Sequence, residues 1–303
     1  MRVNKTMAVA SIVALGAAGL GGHSALAQET VTASAATFTL WQLPNQTPTQ
    51  MMSYVIRTIH GKVIVIDGGN AGDAAYLREF IKGQGNVVEA WFITHPHSDH
   101  HDALAAILPD MGGMTIKTLY GSLPGDAWMK QYGSESEVKS FAAFNKAVAD
   151  AGREVTELEL GQKLEIDGVH IEALGIKNPE ITANCINNSS VVMRVWDDTK
   201  SVLFTGDLGA EGGEKLLKGP FADRLPSEYC QMAHHGQNGV NEAFYRKANP
   251  TYCLWPTPQW LWDNDNGGGK GSGPWKTLDV RAWMEKLPIK AHYILPDGLV
   301  KIE

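Results

Sequence analysis

The chain has 303 residues, 44% of them hydrophobic, and a formal net charge of −7. That is enough apolar material for one large domain or two small ones, and the lack of low-complexity stretches excludes extended disorder. The acidic balance lacks the positive footprint that a long nucleic acid requires.

The first 27 residues read as a signal peptide. Arg2 and Lys5 open it, an Ala-rich apolar run follows, and Ala25-Leu26-Ala27 supplies the cleavage pattern. The apolar run is short and broken by glycines, which argues against an uncleaved membrane anchor. Cleavage after Ala27 removes Arg2 and Lys5 and takes the charge from −7 to −9. The expected product is a single domain over 28–303, secreted or periplasmic in a bacterium-like cell, with no membrane association after cleavage.

Strand signals follow in "TFTLWQL", "MSYVIRTI", "KVIVIDGG" and "VVEAWFIT", short alternating or β-branched runs bounded by Gly, Pro or Asn. Helical patterns cover 73–82 and 99–108, and a longer one covers 134–151 and stops at Gly152. A second series then begins. "GVHIEALG", "SSVVMRVWD", "KSVLFTGD" and "SEYCQMAHHG" read as strands, with short helices at "GEKLLKG" and "NEAFYRKA". "TYCLWPT", a helix in "KTLDVRAWMEKL", "KAHYILP" and "GLVKIE" complete the chain. The pattern predicts an α/β protein of two similar halves, each a sheet covered by helices.

Chemistry concentrates at strand ends. "THPHSDHHD" sets His95, His97, Asp99 and His100 directly after an apolar strand, in the spacing HxHxDH. Imidazole and carboxylate together suit Zn, Mn or Fe. Asp207 ends "VLFTGD", and His234 and His235 end "YCQMAHH". Three strand ends thus carry metal-type ligands, more than buried polar chance would gather. His101 and Asp102 read as the solvated first turn of the following helix, and His170 as a solvated strand histidine. Cys230 and Cys253 lie in successive apolar runs and would pair if those runs are neighbouring strands; with Cys185, three buried free thiols are the equal alternative. No CxxC spacing marks a structural zinc site.

On the motif His95-x-His97-x-Asp99-His100, with Asp67 in "VIDGG", the mature chain resembles the metallo-β-lactamase-fold hydrolases over nearly its whole length. Within them it is most similar to the hydrolase domain of ComEC-type competence proteins, which share "NNxS" (Asn187, Asn188, Ser190), "TGD" (Asp207), "HHG" (234–236) and an ending like "HYILPDGLVKIE". The resemblance implies an αββα sandwich of two similar halves and two divalent transition-metal ions, Zn or Mn. It implies that His95 and His97 hold the first ion, that Asp99, His100 and one of the paired histidines hold the second, with His234 favoured although the sequence does not separate it from His235, and that Asp207 bridges them. Asp67 would orient the ligands, while Asn188, Ser190 and His235 would face the substrate. Asp99 would hold the attacking water and pass its proton to the leaving group.

Two departures stand out. "CINNSS" lacks a histidine found there in many relatives, leaving Asn188, water or substrate as replacement. The ComEC-type His-Pro near the end is replaced by Gly273-Pro274 inside a loop with Trp260, Trp262 and Trp275. Those tryptophans, with Trp255, form either an aromatic wall over the metals or ordinary packing on the sheet. The expected function is metal-dependent hydrolysis of small phosphodiesters. The alternatives are hydrolysis of a lactone, lactam or thioester, and a secreted metal-binding protein without turnover. The partner is a small-molecule substrate rather than long nucleic acid.

Overall fold

The computed structural model describes residues 36–303, so the signal-peptide reading lies outside the described residues. The described residues fall in one compact unit. Among them no helix is long and apolar enough to cross a membrane.

Two seven-stranded sheets form the centre. The first orders its strands β14-β1-β2-β3-β4-β5-β6: Val300–Ile302, Phe38–Gln42, Ser53–Thr58, Val63–Asp67, Val87–Ile93, Thr115–Gly121 and Val155–Glu157. The second orders β13-β12-β11-β10-β9-β8-β7: Ala291–Ile294, Tyr252–Trp255, Tyr229–Gln231, Ser201–Phe204, Val192–Trp196, Val169–Gly175 and Lys163–Ile166. Each sheet begins as an antiparallel meander and becomes parallel: β3 pairs parallel with β4 and β4 with β5, as β10 does with β11 and β11 with β12. Helices α1 (Ala74–Gln84), α2 (Ser98–Ile107), α3 (Asp126–Tyr132) and α4 (Glu135–Asp150) belong to the first half; α5 (Ala210–Lys218) and the helices Glu242–Ala248 and Thr277–Met284 belong to the second. The αββα sandwich of two similar halves is what the sequence predicts. The symmetry has one exception, since β14 crosses back to pair with β1.

Burial follows strand alternation. Ile64 and Ile66 of β3 face the layer between the sheets, with Phe92, Met193, Val202 and Phe204. Val63 and Val65 face the opposite way, into a layer with Leu77, Ile81, Leu104 and Phe144 from the helices. A strand buried on both faces needs a continuous apolar run, which is why "VIVI" reads as it does. The second sheet repeats the arrangement, with Leu203, Cys230, Cys253 and Trp255 against Leu216, Phe244 and Met284.

The cysteines resolve the pairing question. Cys230 and Cys253 lie directly opposite on parallel strands, yet all three cysteines are free and buried. Burial pushes the Cys253 thiol up to about 12 and Cys230 well above its ordinary value, and the thiolate is the reactive form. All three thiols are therefore expected to ignore an aromatic disulfide reagent in native buffer and to react once denaturant is added. Rapid labelling of the native chain would contradict the burial, and recovery of a single thiol after denaturation would contradict the free state.

Candidate metal centre

Two parallel pairs of strands, β3 with β4 and β10 with β11, lead from their C-terminal ends into the loops that meet at the site. β3 ends at Asp67, and β4 ends one residue before Thr94-His95. His97 caps the N-terminus of α2, so Asp99 and His100 stand in its first turn. β10 gives way to Thr205-Gly206-Asp207, and β11 leads through Met232 to His234 and His235. The ends of parallel strands are where α/β folds put ligands, because the sheet fixes the backbone and the loops are free to aim side chains.

The side chains converge on Asp207. Its Oδ2 lies 3.3 Å from His100 Nε2, 3.2 Å from His235 Nε2, 3.8 Å from His95 Nε2 and 3.9 Å from His234 Nε2. Neither carboxylate oxygen has a hydrogen-bond partner, nor do His100 Nε2 and His235 Nε2, and all are buried. Two donor groups form around it: Asp99, His100, Asp207 and His235, and His95, His97 and Asp207. Buried polar atoms this close together with no hydrogen bond between them are costly unless cations fill the gap. This donor set, N and O from His and Asp, fits divalent transition-metal ions.

Burial pushes the Asp207 carboxyl up, but His235 and His100 outweigh it and hold it well below the usual carboxylate range. Burial pushes His235 down; Asp207 and Asp99 outweigh that and raise it to about 9. His100 is raised likewise. His95 is the opposite case, since burial and the neighbouring His100 keep it well below its ordinary value and hence a neutral ligand.

Outer partners fix the imidazoles. Asp67 Oδ1 accepts from the Thr94 N–H at 2.8 Å, and Oδ2 accepts from Thr94 Oγ1 and His100 Nδ1, each at 2.7 Å. His100 Nε2 is thereby turned to the site, as carboxylate–histidine pairs do. His235 Nδ1 donates to the Pro256 carbonyl at 2.9 Å with the same result. Gln50 Nε2 donates to Asp99 Oδ2, and Gln237 Nε2 donates to Gln50 Oε1. His95 Nε2 and His97 Nδ1 lie 3.0 Å apart, while His97 Nε2 contacts Glu137 Oε1 at 3.0 Å. Glu137 is half-buried, and His97 first, then Ser134, draws it down to about 2.

The geometry corrects several sequence expectations. His235, rather than His234, joins Asp99 and His100, at 3.0 Å from Asp99 Oδ2. Asn188 is spent inside the fold: Nδ2 donates to Ala183 O and Glu211 Oε2, and Oδ1 accepts from Gly212 N at the start of α5. Ser190 Oγ accepts from the Asp207 N–H and so fixes the loop rather than a substrate. His101 is not solvated; it is fully buried against Phe144, with ring centroids 4.7 Å apart. His170 is half-exposed, stacked on Trp196. The tryptophans divide. Trp255 is core, and Trp262 packs on it beneath Arg281. Trp260 and Trp275 form a half-buried pair with centroids 4.9 Å apart, and Trp260 Nε1 donates to Pro48 O, two residues before Gln50.

Glu137, Gln50 and Gln231 escape the sequence reading. Gln231 clamps two loops, accepting from Thr205 N and donating to the carbonyls of Gly206 and Met232. Glu137 had one signal: "SESE" is a capping box at Ser134, and the same carboxylate serves both the cap and His97.

Residues 47–108 match the family model described as the metallo-beta-lactamase superfamily. No curated protein matches the chain. Among solved structures, the metallo-beta-lactamase fold protein YhfI from Bacillus subtilis is 12% identical, with a TM-score of 0.52 over 88% of this chain and 100% of that one. CmlA, a diiron beta-hydroxylase from Streptomyces venezuelae, is 13% identical, with a TM-score of 0.51 over 89% of this chain and 55% of that one. The metallo-β-lactamase fold is therefore shown, and the matched segment contains the HxHxDH motif.

Glu137→Gln keeps the capping box, which accepts either residue, but removes the charge behind His97. It is expected to weaken binding of one ion by about 10- to 100-fold, the range for an outer partner of a ligating histidine, with the melting of the metal-free chain little changed. Titration with Zn²⁺ against a chelating dye checks this. Unchanged affinity would show that the Glu137–His97 contact does not orient the ligand.

Proposed function

We propose that the chain is a metal-dependent hydrolase that acts on small phosphodiesters with two divalent ions bound on either side of Asp207. The observation that carries the reading is the pair of donor groups sharing that one buried carboxylate. Held there by His95, His97, Asp99, His100, His235 and Asp207, divalent ions would act as Lewis acids and lower the pKa of water toward neutrality. The chain supplies the remainder. Asp99, whose Oδ2 accepts from Gln50, would orient the attacking water and take its proton. Trp260 and Trp275 stand beside the same loop as Gln50. Export to the periplasm or medium is part of the proposal and rests on the N-terminal sequence pattern.

The substrate class rests on three supports. The "NNxS", "TGD" and "HHG" segments are similar to those of ComEC-type hydrolase domains. A groove of about 380 Å³ adjoins the site, lined beside His97, Asp99 and Glu137 by Thr49, Gln50, Asn70, Ser98, Ser136 and Ser140. That volume suits a small molecule. Its described lining contains no lysine or arginine, so a long polyanion finds no counter-charge beyond the ions. The same lack of cations favours, as a second reading, a weakly charged ester such as a lactone.

Rates on a bis-aryl phosphodiester, a lactone, a cephalosporin and plasmid DNA, measured at one pH with Mn²⁺ or Zn²⁺ supplied, test the reading. Phosphodiester turnover is expected to lead and to disappear with a chelator. Lactone turnover without phosphodiester turnover would promote the second reading. Rapid plasmid degradation would overturn the size and charge argument.

A further inference from the structure

The two donor groups are unequally furnished. The group of Asp99, His100, His235 and Asp207 has four side chains, a full tetrahedral set. The other has three, His95, His97 and Asp207. Asn188, the sequence candidate for the missing donor, is already spent on three internal bonds. We infer that His234 is the fourth donor of the His95 group, so that the adjacent His234 and His235 serve the two ions separately, one imidazole each. The inference rests on the two-ion reading above.

Three observations carry it. First, His234 Nε2 reaches within 3.9 Å of the same Asp207 oxygen that His235 approaches at 3.2 Å, while the two rings stand 6.1 Å apart. They approach the carboxylate from separated positions, with His234 outside both donor groups in the metal-free chain, so its imidazole must swing toward His95 to complete that set. Second, the Asn187 amide nitrogen lies 3.4 Å from His234 Nε2, so an N–H faces that lone pair in the metal-free chain. The Nε2 is thus presented as an acceptor, the state a ligand needs. Third, the backbone is bent to achieve this. His234 (φ 50°) and His235 (φ 54°) both occupy the left-handed region, which side-chain-bearing residues rarely adopt.

That bend is held from several sides. His234 N–H donates to Gly206 O beside Asp207, Gln237 N–H donates back to His234 O, and Thr257 Oγ1 donates to His235 O. Gly236 must be glycine, since a Cβ there would stand 2.2 Å from the Trp255 ring. In an extended strand, neighbouring side chains point to opposite faces and one imidazole would leave the site. Strain of this kind persists where the surroundings impose it and function uses it.

The test compares metal binding, not turnover. His234→Gly suits the positive φ and removes only the imidazole, so its metal-free form is expected to melt no lower than the parent. Native mass spectrometry and Co²⁺ absorption are the readouts. The parent is expected to hold two ions, and H234G one, with the second site weakened beyond the about 10- to 100-fold that loss of an outer partner causes. Should H234G fail to fold, His234→Asn, which also tolerates positive φ, carries the same expectation. Two ions held by the variant as tightly as by the parent would overturn the inference and leave the hydrolase reading intact. Loss of one ion from Asn187→Ala but none from H234G would move the fourth donor to Asn187. A parent chain that holds no ion overturns the metal reading itself.

Discussion

A buried carboxylate with no hydrogen bond is the constraint around which this protein is organised. Asp207 is fully buried, both oxygens lack donors, and four imidazoles surround one of them. An isolated buried charge costs far more than a fold of ordinary stability tolerates. It is sustained only by positive charge brought to it, and the His and Asp donors gathered around it are of the kind that fits divalent ions. The surrounding framework keeps the carboxylate in place: Ser190 takes its backbone N–H, and Gln231 locks the loop that carries it to the end of β11. The "NNxS" segment, which looks like a substrate motif, is on this account a scaffold for Asp207 and for the start of α5.

The same logic extends outward. Asp67 sits in a left-handed conformation at the end of β3 and spends its carboxylate on Thr94 and His100. It thereby chooses which nitrogen of His100 faces the site. Pro256 does this for His235 and Glu137 for His97, each from a different element. A sandwich of two similar halves is well suited to the task, because each sheet delivers parallel strand ends to the shared site. The candidate ligands follow β4 and open α2 in the first half, and follow β10 and β11 in the second.

Much of this was legible in the sequence, for identifiable reasons. The HxHxDH run is contiguous and follows an apolar strand, so its chemistry shows without a fold. Asp207 shows because "VLFTGD" is a strand with a charged end. The alternation in β1 to β4 and β8 to β10 gives the elements nearly residue for residue. Other features depend on geometry that spacing does not encode. Which of His234 and His235 faces Asp99 is set by two consecutive positive φ angles, and a strand-period reading has no access to them. Glu137 stands 40 residues from His97 and meets it only because α4 packs beside α2. His101 was misplaced by its polar neighbours, although its spacing to Leu104 and Leu108 puts it on the apolar face of α2. β5, with lysine and threonine on its more exposed positions, and the crossing of β14 to the first sheet also needed the three-dimensional structure.

The central claim is that two ions flank one carboxylate. Crystals grown with Zn²⁺ or Mn²⁺, with anomalous data collected at the metal absorption edge, test it most directly. The account predicts two strong peaks on either side of Asp207, about 3.5–4 Å apart as in two-metal hydrolytic sites, one beside His95 and His97 and the other beside Asp99, His100 and His235. A well-ordered crystal with no peak there, or with a single ion that Asp207 does not touch, would contradict it.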